Sequence, residues 1–527
     1  MNNRDLQATW KYHDGTKHSY WSIRNDPHFL DWANRPLSFK IYPTIKPFPL
    51  PRDLPQTGVA ALSAISEPVP PGDGDSVPDL QDLARILHFS AGITRQRAYQ
   101  GGEIYFRAAA CTGALYEIEL YVVTGDLEVL GLGLGLDAGV YHFNPADVSL
   151  RLLRKGDFRR TLARATAMES AVAHAPTTIV CTGTYWRNAW KYQARTYRHF
   201  GWDNGTLLAN MLAVSAASGL PAEIVLGFVD AEVNRLLDLD IRREVSLCLV
   251  PIGRTSEGLP PVPREIPALS LETVPLSQRE VEYPAMLEMH DASSLDSEEE
   301  VARWRGKHPS LPSSASAPAG QAVRLQRLPE EERPKDTIEQ VILRRGSTRT
   351  FDRTASISLA QLSTILDCST RGLPADFLDP LGTQLNDLQL NDVYLIAHSV
   401  QGLKPGAYFF CRERNTLELL KEGEFRAEAH HLGLEQQLPA DACVDIFFLA
   451  DLNRILERYG NRGYRAVQME AGTIGGRMYL AAYAQHLGAT GLTFFDDDVV
   501  NFFSPHARGK GAIFLLAIGK TLKRRQS

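Results

Sequence analysis

The sequence lacks the cysteine pattern of a disulfide-rich or zinc-binding protein. It has six cysteines in 527 residues, and they are scattered without the paired spacing that zinc ligands or a disulfide framework require. They are Cys111, Cys181, Cys248, Cys368, Cys411 and Cys443. We therefore expect small buried thiols in a reducing compartment and no metal site.

Long apolar runs and blocks of like charge are also missing. No stretch reaches the roughly 18 uninterrupted apolar residues of a membrane span, and the N-terminus has no apolar signal core. The net charge is -6, and the only basic block is the short tail Lys520–Arg525, which is no footprint for nucleic acid. These absences predict a cytoplasmic protein that binds neither a membrane nor nucleic acid. A chain of this length is expected to form two or more domains.

What the sequence does contain is an internal repeat, which organises everything else. The segment Gly139–Arg159 (GVYHFNPADVSLRLLRKGDFR) aligns with Gly406–Arg426 (GAYFFCRERNTLELLKEGEFR) at an offset of 267 residues. The same offset places Gly205 over Gly472. A register held over such a distance indicates a duplicated domain.

A stretch rich in Ser, Pro and Ala separates the two copies. Residues 288–335 contain SLDSEEE and KHPSLPSSASAPAGQ, without apolar periodicity. We predict a first domain with an N-terminal extension at residues 1–287, a linker at 288–335 and a second domain at 336–527. In each copy helical stretches alternate with short strand-like runs, which predicts an α+β fold with a mostly antiparallel sheet and one long apolar helix.

Four landmarks point to a known family. They are YHDGTKH (Tyr12–His18), FRAAACTGALYEIELYVV (Phe106–Val123), WKYQARTYR (Trp190–Arg198) and RRGSTRTF (Arg344–Phe351). Together they resemble the flavin-dependent nitroreductase superfamily and, within it, the SagB-type (SagB/ThcOx family) dehydrogenases, which oxidise azoline rings in ribosomal peptides. The resemblance implies two fused nitroreductase-like domains that form an intramolecular pseudo-dimer, with FMN bound at the interface between them.

The RRGSTRTF segment offers donors for the phosphate of FMN. A phosphate dianion needs several donors, which arginine supplies bidentately and serine supplements. Arg345, Ser347 and Arg349 alternate, so that they can converge on one anion. The alternative is a solvated basic helix start, but the resemblance favours the phosphate site, with the C-terminal Lys520 as a further basic residue.

The small residues Cys111, Thr112 and Gly113 match the loop that the resemblance places against the flavin ring. Small side chains allow the backbone to approach the isoalloxazine, although Glu117 stands where related proteins usually have a proline. A thiol beside a flavin suggests redox chemistry, yet we interpret Cys111 as a substitute for serine. The resemblance also places backbone donors near flavin N5, here in the LTFFDDD segment at Thr493 and Phe494.

Lys191 and Tyr192 match the lysine–tyrosine pair that SagB-type enzymes carry near the flavin. Oxidation of a thiazoline or oxazoline moves a hydride to the flavin and removes a ring proton, so a base is required. A desolvated lysine beside another cation can serve, while the tyrosine relays or orients. A surface lysine beside a packed tyrosine is the alternative. In the second copy Arg458 and Tyr459 hold these positions, and arginine cannot act as a base.

The two copies are therefore complementary. The second copy has the phosphate donors, whereas the first has the ring-facing loop and the candidate base, and together they predict one complete flavin site. Aligning HDGTKHS under RGSTRTF puts His13, Gly15 and Lys17 at the donor positions of the other site, which would also use Arg254 and the divergent stretch around Gly382. Because these donors are weaker, we predict one FMN per chain.

The expected function is that of an FMN-dependent dehydrogenase or oxidase that acts on a heterocycle in a peptide or small natural product. An NAD(P)H-dependent nitro or quinone reductase is an alternative on the same fold. A third is a non-catalytic scaffold in a biosynthetic complex, because a fold alone does not determine function. Other biosynthetic enzymes are the partners that these functions imply.

Overall fold

The computed structural model describes residues 3–522 except 26, 71, 73, 100–101, 129–134, 262–264, 307–319 and 379–388. The strands of the first half are β1 (Pro47–Pro49), β2 (Ile93–Tyr99), β3 (Gly102–Arg107), β4 (Ile118–Thr124), β5 (Leu127–Glu128), β6 (Gly135–Leu136), β7 (Gly139–Asn144), β8 (Ser149–Lys155), β9 (Thr177–Thr184) and β10 (Glu244–Ile252). Those of the second half are β11 (Ala322–Arg324), β12 (Ile357–Ser358), β13 (Asp392–Ala397), β14 (Val400–Gln401), β15 (Gly406–Cys411), β16 (Thr416–Glu422), β17 (Val444–Ala450), β18 (Gly488–Leu492) and β19 (Gly511–Gly519).

Helices surround these strands, and none of the helices in the described ranges is long and apolar enough to cross a membrane. The α-helices are α1 (Gln7–Gly15), α2 (Tyr20–Asn25), α3 (Ala61–Ser66), α4 (Leu80–Ala91), α5 (Arg159–Ala165), α6 (Ser170–Ala173), α7 (Tyr185–Tyr192), α8 (Thr196–Ala217), α9 (Asp230–Leu236), α10 (Pro284–Ala292), α11 (Glu298–Arg305), α12 (Ile338–Arg344), α13 (Leu359–Thr370), α14 (Arg426–Leu432), α15 (Gln437–Asp441), α16 (Leu452–Tyr459), α17 (Arg462–Ala484) and α18 (Asp496–Phe503). Short 3₁₀ helices lie at Trp32–Asn34, Thr112–Ala114, Gln193–Arg195 and Glu330–Glu332.

One large sheet lies in each half. The strand order is β1-β8-β7-β4-β9-β10 in the first and β11-β16-β15-β13-β17-β19-β18 in the second. Neighbouring strands pair antiparallel throughout both sheets. Apart from the extra edge strand β18, corresponding strands occur in the same order, which confirms the α+β fold and the duplication.

The long apolar helices predicted for each copy are α8 and α17, and they pack against each other. A Cβ on Gly205 would lie only 2.5 Å from the backbone carbon of Gly472, so the two helices approach as closely as they do because both residues are glycine. The two residues are also equivalent in the repeat. Equivalent residues contact each other when two copies are related by a two-fold axis, as in a symmetric dimer.

Two buried clusters of charge connect the halves in both directions. By the repeat, Asp230 of LGFVD corresponds to Asp496 of LTFFD, and each aspartate begins a short helix, α9 or α18. Each binds two arginines of the other half, and we call these clusters the aspartate clamps. Their contacts are Asp496 to Arg195 at 3.0 Å and to Arg198 at 2.6 Å, and Asp230 to Arg462 at 2.5 Å and to Arg465 at 2.7 Å.

The described part of the predicted linker packs against the body of the protein. Helix α10 crosses the predicted boundary at residue 287, and α11 follows it. Met289 and Trp304 of these helices are buried in the core, where their apolar surface stabilises the fold. Residues 307–319, with most of the Ser/Pro/Ala-rich stretch, lie outside the described residues.

The structure corrects one alignment made from the sequence. Phe351, which ends RRGSTRTF, forms a β-bridge with Thr521, and Ser76 forms the corresponding bridge with Arg254, 267 residues before Thr521. The counterpart of RRGSTRTF is therefore the segment that ends at Ser76, and the alignment with HDGTKHS is wrong because strand pairing sets a different register. Residues 67–76 (EPVPPGDGDS) include no lysine or arginine.

Candidate active site

A cavity of about 340 Å³ lies where the two halves meet, and we call it the composite cavity. Its volume is within the usual range of small-molecule sites. Eight of the eleven residues predicted for the site line it: Cys111, Thr112, Gly113, Lys191, Tyr192, Ser347, Arg349 and Thr493. The first five come from the first half and the other three from the second, so the structure brings the complementary sets together.

The other three predicted residues lie outside this lining. Arg345 is buried, and its guanidinium donates to the backbone carbonyl oxygens of Ala108 and of the residue before it, both at 3.0 Å. Phe494 is fully buried, with its ring centroid 5.4 Å from the guanidinium carbon of Arg195. Lys520 is exposed at the end of β19. Arg345 thus holds the two halves together from beside the cavity.

The small-residue loop is shaped by Gly113 and fixed to α8. Gly113 has a φ of 63°, and a Cβ there would lie 2.9 Å from the hydroxyl oxygen of Tyr192. Only glycine combines this backbone conformation with such a close contact. The backbone N–H and the hydroxyl of Thr112 donate to Asp203 at 2.8 and 2.9 Å, which places the loop against the helix.

Lys191 lies in the last turn of α7, half-buried at the cavity wall. Its Nζ is 5.2 Å from the centroid of the Tyr192 ring. Burial, and then the charge of Arg349, lower the pKa of Lys191. Burial, and then the charge of Asp203, raise the pKa of Tyr192. The lysine is therefore easier to deprotonate than a free lysine, and the tyrosine keeps its proton.

The N-terminal extension and a buried ion pair hold α7 in place. The indole N–H of Trp190 donates to the carbonyl of Asp31 at 2.9 Å, and His28 Nε2 lies 2.8 Å from the carbonyl oxygen of Trp190. Near the start of the helix, Arg187 pairs with Glu119 at 2.5 Å. The end of the helix that carries Lys191 is thus fixed from outside the repeat.

One face of α8 also lines the composite cavity, and sequence reasoning missed it. The residues are His199, Trp202, Asp203 and Thr206, spaced as i, i+3, i+4 and i+7, which places them on one side of a helix. Polar and aromatic side chains at this spacing in an apolar helix were the signal that could have found them.

Tyr479 of α17 contributes to the opposite wall. Its hydroxyl accepts a hydrogen bond from the N–H of Gly491 and lies 3.4 Å from the hydroxyl of Ser347.

The residues present fit a flavin mononucleotide. The buried hydroxyl of Thr493 has no hydrogen-bond partner among the described residues, so a ligand in the cavity can supply one. Arg349 is exposed at the rim and forms no ion pair with any residue that the structure describes. Arg349 and Ser347 offer donors for a phosphate, and the small-residue loop with the aromatic rings of Tyr192 and Trp202 suits a flat ring.

Comparison with known proteins identifies the family. The model described as "Nitroreductase family" matches residues 73–254 and 342–520, one segment in each half. The chain belongs to the nitroreductase family. Membership indicates an oxidoreductase, on a fold that this chain contains twice.

Similar proteins extend this result. A protein of Methanocaldococcus jannaschii that bears the name nitroreductase is 27% identical over 178 residues, which are 34% of this chain and 82% of that protein. A crystal structure from Anabaena variabilis, also named a nitroreductase, is 25% identical and covers 98% of this chain and 99% of its own, with a TM-score of 0.75. The E. coli microcin synthetase McbBCD complex matches at 18% identity over 49% of this chain and 95% of its own, but its TM-score of 0.30 supports no inference. The A. variabilis structure, which aligns along its whole length, therefore shares the two-copy arrangement.

The repeat relates the composite cavity to a second position, which the protein fills itself. Tyr459 corresponds to Tyr192, and Gly227 corresponds to Thr493. Trp304 of α11 lies between them: its indole N–H donates to the carbonyl of Tyr459 at 3.0 Å, and a Cβ on Gly227 would lie 3.2 Å from the indole. We call this position, formed by Trp304, Tyr459 and Gly227, the sealed site.

Arg305, the residue after Trp304, also contacts the sealed site. The guanidinium of Arg305 donates to the carbonyl of Gly227 at 2.8 Å and pairs with Glu169 at 3.0 Å and with Asp376 at 3.4 Å. The predicted contribution from around Gly382 lies outside the described residues. In the sealed site, helix α11 therefore occupies the space that is open in the composite cavity.

Proposed function

We propose that the composite cavity binds FMN and that the protein is a SagB-type dehydrogenase or oxidase. Its substrate class is a heterocycle such as a thiazoline or oxazoline in a peptide or small natural product. The observation that carries this proposal is the meeting of Lys191 and Tyr192 from one half with Ser347 and Arg349 from the other at one cavity. Nitroreductase-family membership supports the flavin.

Two groups of residues that line the cavity have different roles. Arg349 and Ser347 bind the phosphate, because a guanidinium and a hydroxyl provide charge-assisted donors. The loop from Cys111 to Gly113 and the hydroxyl of Thr493 would hold the ring. When bound, FMN supplies the hydride acceptor.

Lys191 takes the proton that leaves the substrate ring. A general base must be unprotonated before the reaction, and burial and Arg349 shift the pKa of Lys191 in that direction. Tyr192 remains protonated, so its hydroxyl can donate to the substrate or orient the lysine. The base and its orienting group are then adjacent residues at the end of one anchored helix.

The sealed site supports one flavin per chain. Trp304 lies where the ring-facing space would be, and the counterpart of RRGSTRTF has no basic residue. Arg458 stands where the other site has Lys191. The counterpart positions therefore supply neither the basic donors for a phosphate nor a lysine base.

Flavin content tests the cofactor and its stoichiometry together. We expect a yellow protein that releases close to one FMN per chain on denaturation, measured by absorbance against protein concentration. Close to two FMN per chain would contradict the sealed site. A protein that binds no FMN even after incubation with it would overturn the catalytic proposal and favour the scaffold function.

A synthetic peptide that contains one thiazoline tests the reaction. We expect conversion to the thiazole, seen as a loss of two hydrogens by mass spectrometry. Lys191→Ala should lower the rate by about 10²- to 10⁴-fold while FMN stays bound, as for loss of a general base. The matched control is Lys155→Ala, whose side chain is 79% exposed at the end of β8. Unchanged oxidation in Lys191→Ala with bound FMN would exclude the role assigned to this lysine.

The names of the relatives favour a second candidate, an NAD(P)H-dependent nitro or quinone reductase. Anaerobic titration with NADH and NADPH separates the two functions. Rapid bleaching of the flavin by either nucleotide, without oxidation of the thiazoline peptide, would favour the reductase. Reduction of the flavin by the peptide alone would favour the dehydrogenase.

A further inference from the structure

A thiol and two carboxyl groups meet beside the composite cavity. Cys111 Sγ lies 3.3 Å from Glu117 Oε2 and 3.5 Å from Asp203 Oδ2. The three atoms all lie within 4.8 Å of one another. Cys111 and Asp203 line the cavity, whereas Glu117 is fully buried behind them.

No ion pair within the described part of the chain balances the charge of this cluster. Among the described residues, neither Glu117 nor Asp203 takes part in an ion pair. The second carboxylate oxygen of Glu117, Oε1, is buried without any hydrogen-bond partner in the described part of the chain. Burying two carboxylates is costly unless a cation or a proton compensates them. The cluster therefore requires a positively charged ligand or bound protons.

The spacing of the three atoms suits one tetrahedral metal ion. Zinc bonds to sulfur at about 2.3 Å and to carboxylate oxygen at about 2.0 Å, so a tetrahedral site has a sulfur-to-oxygen edge of about 3.5 Å. The two edges observed here are 3.3 and 3.5 Å. Three protein ligands with a fourth direction open are the usual arrangement of a reactive zinc site.

Neighbouring donors orient the same three groups. The N–H of Tyr116 donates to Cys111 Sγ at 3.0 Å. The N–H and hydroxyl of Thr112 occupy Oδ1 of Asp203, which leaves Oδ2 turned towards the thiol. Contacts of this kind fix ligands around metal ions and keep them in position.

We propose that Cys111, Glu117 and Asp203 bind a divalent zinc ion whose fourth position faces the composite cavity. This site goes beyond the proposed function and differs from the expectation of no metal from the sequence. A zinc ion there would act as a Lewis acid on a heteroatom of a ligand in the cavity. It would also compensate the two carboxylates, which form no ion pair with any residue that the structure describes.

Metal analysis of the full chain tests the site without any assay of activity. After incubation with zinc and removal of the excess, we expect about one tightly bound zinc per chain by inductively coupled plasma mass spectrometry. X-ray absorption at the zinc edge should show a single sulfur ligand at about 2.3 Å together with oxygen ligands. FMN content, measured on the same sample, reports separately on the proposed function.

Variants and controls complete the test. Cys111→Ser and Asp203→Asn should each reduce bound zinc to background, while Cys411→Ser, which removes a buried thiol of β15, should retain it. Circular dichroism shows whether each variant folds, and the X-ray absorption measurement needs no variant. Wild-type protein that retains no zinc, or a zinc spectrum without sulfur, would overturn the proposal. In that outcome the two carboxyl groups are compensated by a shared proton.

Discussion

The composite cavity and the sealed site are made of corresponding parts, but they differ in what occupies them. In the first, Tyr192 and Thr493 face open space. In the second, their counterparts Tyr459 and Gly227 face the indole of Trp304. The added helix α11 is not part of the repeat, and it converts a place for a ligand into part of the core.

The framework around these two positions has stayed symmetric. Both central helices still meet at the equivalent residues Gly205 and Gly472, and both aspartate clamps are kept. Duplication thus preserved the contacts that hold two halves together while only one of the two positions remained open. Packing constrains a shared interface from both sides, whereas a ligand position is free to diverge once another one exists.

The largest predicted loss of unfolding free energy is for substitutions in the two aspartate clamps, and the two losses should be similar. Asp230→Ala and Asp496→Ala each leave two buried arginines without their carboxylate, which costs about 3–5 kcal/mol. Urea denaturation monitored by circular dichroism measures this. Only Asp496→Ala should also weaken FMN binding, because Arg195 lies 5.7 Å from the ring of Trp202 in the cavity wall. A large loss in one clamp and none in the other would contradict their equivalence.

Removing the indole of the sealed site should weaken the fold without creating a second flavin site. Trp304→Ala deletes a fully buried side chain and should cost about 3–5 kcal/mol of unfolding free energy. The control is Trp21→Ala, whose side chain is 68% exposed. FMN content should stay near one per chain, since residues 67–76, the counterpart of RRGSTRTF, include no lysine or arginine. A second FMN in Trp304→Ala would show that the indole alone closes the site.

Removing Arg349, the residue proposed to bind the phosphate, should weaken FMN binding, whereas removing its control residue near the sealed site should not. Arg349→Ala loses charged hydrogen bonds worth about 1.5–3 kcal/mol, which is roughly a 10- to 150-fold weaker Kd for FMN. Arg458→Ala, near the sealed site, should leave the Kd unchanged. Titration of the flavin-free proteins, followed by quenching of flavin fluorescence, gives both values. Equal weakening in the two variants would place the phosphate elsewhere.

The smallest effect is a shift in the pH profile. A lysine base acts when neutral, so on the proposed role of Lys191 activity should be present above its pKa and be lost as the pH falls through it. Arg349 contributes to lowering the pKa of Lys191. Arg349→Gln should therefore move the acidic limb of the pH–activity profile to higher pH. The profile is measured at saturating FMN and peptide. A limb that stays in place would mean that another group titrates.

Several features of the fold and site followed from local patterns. The repeat predicted two copies of one α+β fold, and the comparable strand order confirms it. Sequence reasoning missed another local signal: helix α13 begins with a capping box at Ser358 and Gln361, and its repeat counterpart α4 begins with one at Asp79 and Asp82. Such signals are readable because they depend on neighbouring residues.

Other features depend on residues far apart in the chain, and sequence reasoning missed them. The cluster of Cys111, Glu117 and Asp203 joins a loop to a helix about ninety residues later. The indole of Trp304 contacts Tyr459, 155 residues away. No local periodicity records contacts of this kind, so nothing near Trp304 in the sequence marks its role.

By itself the sequence determined the duplication and the α+β class, because these follow from periodicity and from residue types at a constant offset, and it predicted a complementary division of site residues. Only the tertiary structure decided which predicted donors reach the composite cavity. Arg345 and Arg349 are four residues apart, yet the first donates to backbone carbonyls and the second faces the cavity. Packing between the halves set that difference, as it set the fate of the sealed site, because burial and hydrogen-bond partners exist only once distant segments meet.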